Sequence, residues 1–340
     1  MRKQIDLAVL SDEELLELRL CELPIAIAHT DIESWIKIFY NELDQKGITL
    51  RPPVYLADEW LCPEGVPAIG VPFYLAHPRL KALENTMMLD VEGSEQDEFM
   101  RLIRHEMGHA ISYAYRLQQK KRWRELFGHP TAEERPHYQY KKYSKRFVHN
   151  LENFYAQSHP DEDFAETFAV WLNPQSLWQE RYRRHPVFKK LEYVDFLMNT
   201  YKNTPSKVPM HDIFFNSKRL RSKIKTIYRK KKRLYAADYP DYFDEELLKI
   251  FSLKTETADM RAPSARKLLQ TRRSFLVQIV SRWSLERKYV ADFLVRRFSE
   301  RARTLQLVCR YPEPETLAHL VACMTTMVKS YSDTAQFKEE

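Results

Sequence analysis

The run Leu102-Ile103-Arg104-His105-Glu106-Met107-Gly108-His109-Ala110 carries two histidines and a glutamate at the spacing of a metal site. Residues four apart on a helix share a face, so His105 and His109 can offer both imidazoles to one ion. Glu106 falls beside them, placed to take a proton from a metal-bound water. Apolar flanks imply that this helix is partly buried. Gly108 sits in its middle, where glycine costs ~1 kcal/mol against alanine. A chain with only 6 glycines in 340 residues places one there because it needs room.

Zinc bound by two histidines needs a third protein ligand and keeps a fourth position for water. The segment Tyr155-Ala156-Gln157-Ser158-His159-Pro160-Asp161-Glu162-Asp163-Phe164-Ala165-Glu166-Thr167-Phe168-Ala169 is the candidate source. Pro160 suits a first helical turn and Asn173-Pro174 ends the helix. Glu162 and Glu166 share one face, while Phe164, Phe168 and Trp171 supply packing. Acidic residues in a first turn also favour the helix dipole without binding anything. Glu166 lies deeper, where an unpaired carboxylate is costly, and it could accept a hydrogen bond from a metal-bound histidine. His159 is the rival third ligand, with helix capping or packing as its plainer role. Asp163 points elsewhere on the helix and is expected to be structural.

Together the two motifs resemble the bacterial zinc-binding metallopeptidases, which carry a HExGH helix and a later YAxxHPxEDxAExxA-like segment. The resemblance covers roughly residues 50–200. The second segment is also similar to the third-ligand helix of gluzincin peptidases such as anthrax lethal factor. By position, the resemblance implies Glu162 as third zinc ligand, Glu166 as the carboxylate that orients a histidine, and Tyr155 as an oxyanion-stabilising hydroxyl. It implies one Zn2+ per chain, Glu106 as general base, and a peptide or protein as substrate. Zincins have a substrate-aligning sheet edge just before the motif helix, and Met87-Met88-Leu89-Asp90-Val91 stands there as a strand. An ordinary core strand is the equal alternative. No glycine-alanine-methionine-glutamate-asparagine segment for a free amino terminus is present, which tilts the reading toward an endopeptidase. His77 is expected to be structural.

The elements that must position these groups follow from the patterning. Ser11 and Glu14 form a capping box for a helix over 10–23, and Thr30 starts a second helix that stops near Gly47. Residues 48–92 hold six prolines and short β-type runs, Val54–Leu56, Ile69–Val71 and Met87–Val91, read as a small sheet. Beyond, helices are expected over 96–120, 140–157, 160–172, 188–201, 217–236, 243–252, 263–282, 285–307 and 314–331. The expected fold class is α+β and mostly helical, with a zincin-like metallopeptidase core, a small sheet and a helical C-terminal region. The linker is placed at Asn203–Pro209, giving domains 1–202 and 210–340.

Composition narrows the alternatives. At 44% hydrophobic and 30% charged the chain is an ordinary globular protein, and no GxGxxG or GxxxxGK[ST] is present. Four cysteines without a CxxC pair point to reduced thiols. With no signal peptide and no membrane-length apolar run, a cytoplasmic location is expected. The net charge of +7 conceals an asymmetry of about −11, +5 and +13 over residues 1–100, 101–200 and 201–340. Lys218–Arg233 reads as a basic amphipathic helix, most simply packed on its apolar side with a solvated basic face. The sharper alternative is a nucleic-acid-associated protein contacting an anionic partner through Arg229, Lys230, Lys231, Lys232 and Arg233, its metal site structural or acting on DNA-bound proteins.

Overall fold

The computed structural model describes residues 5–131, 140–210, 215–235, 244–254 and 262–334. The chain is mostly helical with little sheet, and it divides into two compact units. The first holds the described residues up to Met87, those from Val91 to 131, and those from 140 to Tyr228. The second holds Met88–Asp90 and the described residues from Arg229 onward.

In the first unit, α1 (Asp12–Glu17) opens on the expected capping box: the Glu14 amide donates to Ser11 Oγ, and the Ser11 amide to Glu14 Oε2. It stops well short of residue 23. The Leu20 and Cys21 amides donate instead to the carbonyls of Ser222 and Leu220, and Ile224 donates to Leu18. Those bonds correct two expectations together. Residues 217–223 are not helical, and the helix there, α9 (Ile224–Tyr235), begins only once they are made. They also tie 217–224 to the first unit, so the expected break at Asn203–Pro209 lies inside it.

Helix α2 (Asp31–Gln45) buries Ile32, Ile36, Phe39 and Leu43. Strands β1 (Val54–Ala57) and β2 (Ile69–Pro72) pair in parallel, Val54 opposite Ile69. The third expected strand does not form. Met87 and Met88 end α3 (Pro78–Met88), and Leu89 follows with φ 61° before the chain turns through Asp90 and Val91. Burial of Leu80, Leu83, Glu84 and Met88 has helical spacing, so the apolar run at 87–89 is a last helical turn.

Helix α4 (Gln96–Tyr115) is buried on nearly every face from Phe99 to Ala114 and ends at Arg116 in the left-handed region. Short α5 (Lys121–Phe127) follows. The helix expected over 140–157 is absent apart from a 3-10 turn at Glu152–Gln157, where Phe154 has φ 54°. Helices α6 (Pro160–Leu172), α7 (Trp178–Arg181) and α8 (Phe188–Tyr201) complete the unit, α6 packing along α4.

The second unit contains α10 (Asp244–Ile250), β3 (Phe251–Leu253), α11 (Ala265–Thr271), α12 (Arg273–Ser284), α13 (Lys288–Thr304), β4 (Leu307–Cys309) and α14 (Glu313–Thr334). Strands β3 and β4 pair antiparallel, and Leu269, Leu276, Val280, Leu294, Phe298, Leu320 and Met324 centre its core. The single helix expected over 263–282 divides at Arg272, and Leu285, with φ 62°, separates α12 from α13. Among the described residues no helix is long and apolar enough to cross a membrane, and all four cysteines are free thiols.

Candidate metal centre

The centre lies where α4 and α6 come closest. Gly108 makes that approach possible: a Cβ there would stand 2.6 Å from the Ala165 Cα and 3.0 Å from its carbonyl oxygen. The room inferred from the sequence is room for a backbone.

From α4, His105 and His109 point at α6, which returns Glu162. His105 Nε2 is 3.0 Å from Glu162 Oε2, His109 Nε2 is 3.2 Å from the same oxygen, and the two Nε2 atoms are 3.1 Å apart. Among the described residues this is the group of three donors able to hold one ion. Bonds of ~2.0–2.1 Å in a tetrahedral site put ligand atoms about 3.3 Å apart, close to this triangle. Two imidazole nitrogens and one carboxylate oxygen are a donor set suited to zinc. The three residues fit the ion.

Glu166, fully buried one turn further along α6, accepts from His105 Nδ1 at 2.9 Å. It also accepts from Asn150 Nδ2 at 2.8 Å and from the Leu151 amide at 2.9 Å. The Leu151 amide thereby serves Glu166 rather than a helical ladder, within the stretch where the helix expected over 140–157 does not form. Asn150 thus belongs to the site, and the sequence reading missed it; its donor role depends on a contact 16 residues away that no local pattern announces. A second omission is the Arg104–Glu42 pair. The buried guanidinium donates to both carboxylate oxygens, at 2.8 and 2.6 Å, fixing α4 against α2 beside His105.

The electrostatics follow from burial against charge. Burial opposes a proton on His105, yet its hydrogen bonds to the Glu162 and Glu166 carboxylates raise its pKa well above the ordinary value. His109 is raised in the same way, burial being overcome by Glu162. Burial alone would push Glu162 up, but the two imidazoles hold it below the usual carboxylate range. Glu106 is buried, and that burial raises its pKa despite both histidines. A cation at the shared point would compete with the imidazole protons.

The remaining sequence candidates divide. Tyr155 is part-exposed, with its ring 5.7 Å from that of His105. His159 stands outside the triangle and caps α6, its Nδ1 accepting from the Asp161 amide at 3.2 Å. Asp163 faces away and pairs with Lys190 at 2.5 Å, and burial raises its pKa to about 7 despite that ammonium. His77 accepts from the Arg79 amide. Met87–Val91 provides no strand edge. Arg229, Lys230, Lys231 and Lys232 lie in the second unit, and the Arg233 side chain lies outside the described residues.

Residues 97–205 match the family model described as "Putative zinc-binding metallo-peptidase". The matched stretch runs from the first turn of α4 past the end of α8 and contains the triangle, Glu106, Tyr155 and Glu166. It agrees with the resemblance carried by the two motifs. No curated protein and no solved structure matches the chain.

Proposed function

We propose that the first unit is a zinc-dependent peptidase acting as an endopeptidase, with His105, His109 and Glu162 as ligands of one ion. The observation that carries this reading is the meeting of three ligand atoms at 3.0–3.2 Å, with the other nitrogen of His105 held by Glu166. When bound, zinc would supply Lewis acidity and a water of lowered pKa. Glu106 accepts a proton as a water oxygen bonds to the peptide carbonyl carbon. It returns that proton to the amine nitrogen as the carbon–nitrogen bond breaks. The Tyr155 hydroxyl, on the His105 side, donates to the oxygen that gains charge. Glu166 fixes the His105 ring and its tautomer. Four free thiols are in keeping with a cytoplasmic protein.

The test is metal content by mass spectrometry on protein purified without a metal-affinity tag. Wild type and His159→Ala should hold about one zinc per chain, and Glu162→Ala should lose it. Glu106→Gln should keep zinc and lose turnover on a peptide library whose members are blocked at both ends. Zinc retained by Glu162→Ala would remove that ligand, and wild-type turnover in Glu106→Gln would end its role as base.

A further inference from the structure

Helix α8 supplies no group to the metal centre, and one of its faces lines a groove of about 520 Å³ in the first unit. Tyr193, Phe196, Leu197, Thr200 and Tyr201 recur at three- and four-residue steps and so share that face. Lys120 and Arg122, at the start of α5, complete the lining.

The groove is apolar along its length and cationic at one end. Phe196 is 63% exposed, and its ring stacks on that of Tyr193 with centres 6.4 Å apart. The Thr200 hydroxyl is spent within α8, donating to the Phe196 carbonyl at 2.8 Å. At the other end Tyr201 is held by buried Tyr115, stacked 4.7 Å away. The Lys120 ammonium lies 5.3 Å from the centre of the Tyr201 ring, and the Lys207 ammonium 5.6 Å from it. Among the described residues neither lysine has a carboxylate partner. The carboxylates of α5 and α8 are engaged or lie outside the lining. Glu125 pairs with Arg122 at 3.0 Å, Asp195 accepts from Trp171 Nε1 and Asn199 Nδ2, and Glu192 does not line the groove.

Both ammonium groups stand at one ring, so a carboxylate placed there is attracted by each of them. An occupant of this groove therefore brings negative charge to the Tyr201 end and an apolar group to Phe196, five residues or about 7.5 Å away along α8. A peptide does so with one acidic and one apolar side chain, four apart in a helix (about 6 Å) or two apart in a strand (about 7 Å). A lipid surface is too flat to enter a groove between two helices. A nucleic acid strand brings a phosphate with every base, whereas the cations here gather at one end. We propose that the groove is a docking site for an acidic peptide segment, with Lys120 and Lys207 taking its carboxylates and Tyr193 and Phe196 its apolar side chain.

The test selects from a displayed library of random peptides of about 12 residues on the full chain and follows the selected peptides by fluorescence anisotropy. They should carry aspartate or glutamate two or four residues from an aromatic or aliphatic residue. Phe196→Ala should weaken their binding about tenfold. Lys120→Gln/Lys207→Gln should weaken it about tenfold in 0.05 M salt, a loss that shrinks as salt rises. Both variants change side chains at the surface and should keep the wild-type melting curve. Glu162→Ala should bind the peptides as wild type does. A selection without acidic peptides would overturn the proposal, and so would acidic peptides that bind both groove variants like wild type. Weaker binding in Glu162→Ala alone would overturn it by placing the peptides at the metal centre. Binding of phosphatidylserine vesicles or of an oligonucleotide, lost in Lys120→Gln/Lys207→Gln while no peptide is selected, would do the same. So would self-association in sedimentation that Phe196→Ala abolishes while no peptide binds, since the occupant would then be a second copy of the chain.

Discussion

Gly108→Ala tests whether the contact of α4 on α6 sets the metal centre. The added Cβ would lie 2.6 Å from the Ala165 Cα, against backbone that has no rotamer to change. Reaching ordinary contact near 3.4 Å requires the helices to part by about 0.8 Å. Alanine returns ~1 kcal/mol of helix propensity, while overpacking typically costs about 1–3 kcal/mol. The net loss is therefore about 0–2 kcal/mol, a fall in Tm of no more than about 8 °C for a unit of this size.

The centre is far less forgiving than the fold. Both histidines ride on α4 and Glu162 on α6, so the separation adds directly to distances that now stand at 3.0 and 3.2 Å. Metal–ligand bonds tolerate about 0.2 Å, a quarter of the displacement. Zinc affinity should fall by tenfold or more in a protein that still folds. Chelator competition beside thermal melting, with and without zinc, measures both. Wild-type zinc affinity together with an unchanged or higher Tm would show that the helices do not meet as described.

Glu166→Gln keeps the bulk but presents an amide to the donors of Asn150 and Leu151. Zinc affinity should drop about 10–100-fold, read by chelator competition, with a stability loss of about 1–3 kcal/mol by denaturant titration; unchanged affinity would remove its orienting role. Arg104→Met leaves Glu42 buried without its guanidinium and should cost about 3–5 kcal/mol, whereas Glu42→Leu/Arg104→Met should recover most of it. A double variant as unstable as the single would contradict that account. Lys223 and Lys225 lower the Glu17 pKa to about 2. A depressed folded pKa stabilises above the unfolded value and loses that effect as pH falls, here from about 4.5 toward 2. Carbon-13 NMR should place the Glu17 midpoint near the lower value in 0.05 M salt, and a midpoint near 4.5 would show that neither lysine holds it.

Where local signals decide a segment, the sequence and the structure coincide. Pro160 and Asn173-Pro174 mark the bounds of α6, which runs Pro160–Leu172, and the 3.6-residue pattern marks α8 at Phe188–Tyr201. The approach at Gly108 was legible because an isolated helical glycine has a local cost that needs a reason. Distant partners decide the failures. Residues 140–157 look helical, but there the Leu151 amide is bound by Glu166, 15 residues away. Residues 217–223 look helical until their carbonyls meet the amides of Leu20 and Cys21. Met87–Val91 reads as β-type only when the preceding turns of α3 are left out of the window.

The same division explains how the centre is held. Its donors come from local motifs, HExxH on α4 and ExxxE on α6, but neither helix alone brings three ligand atoms to one point. Their convergence depends on contacts between distant segments: Gly108 on Ala165, Arg104 on Glu42, and Asn150 with Leu151 on Glu166. None of these groups is among the three that could ligate the ion, and each acts by limiting where a ligating helix or ring can go. Burial gives those limits their force. Glu166 and Glu42 cannot exchange their partners for water without a large loss, so the helix faces stay in register. A substitution at one of these supports should therefore weaken metal binding more than it weakens the fold, because coordination senses tenths of an ångström that packing can absorb.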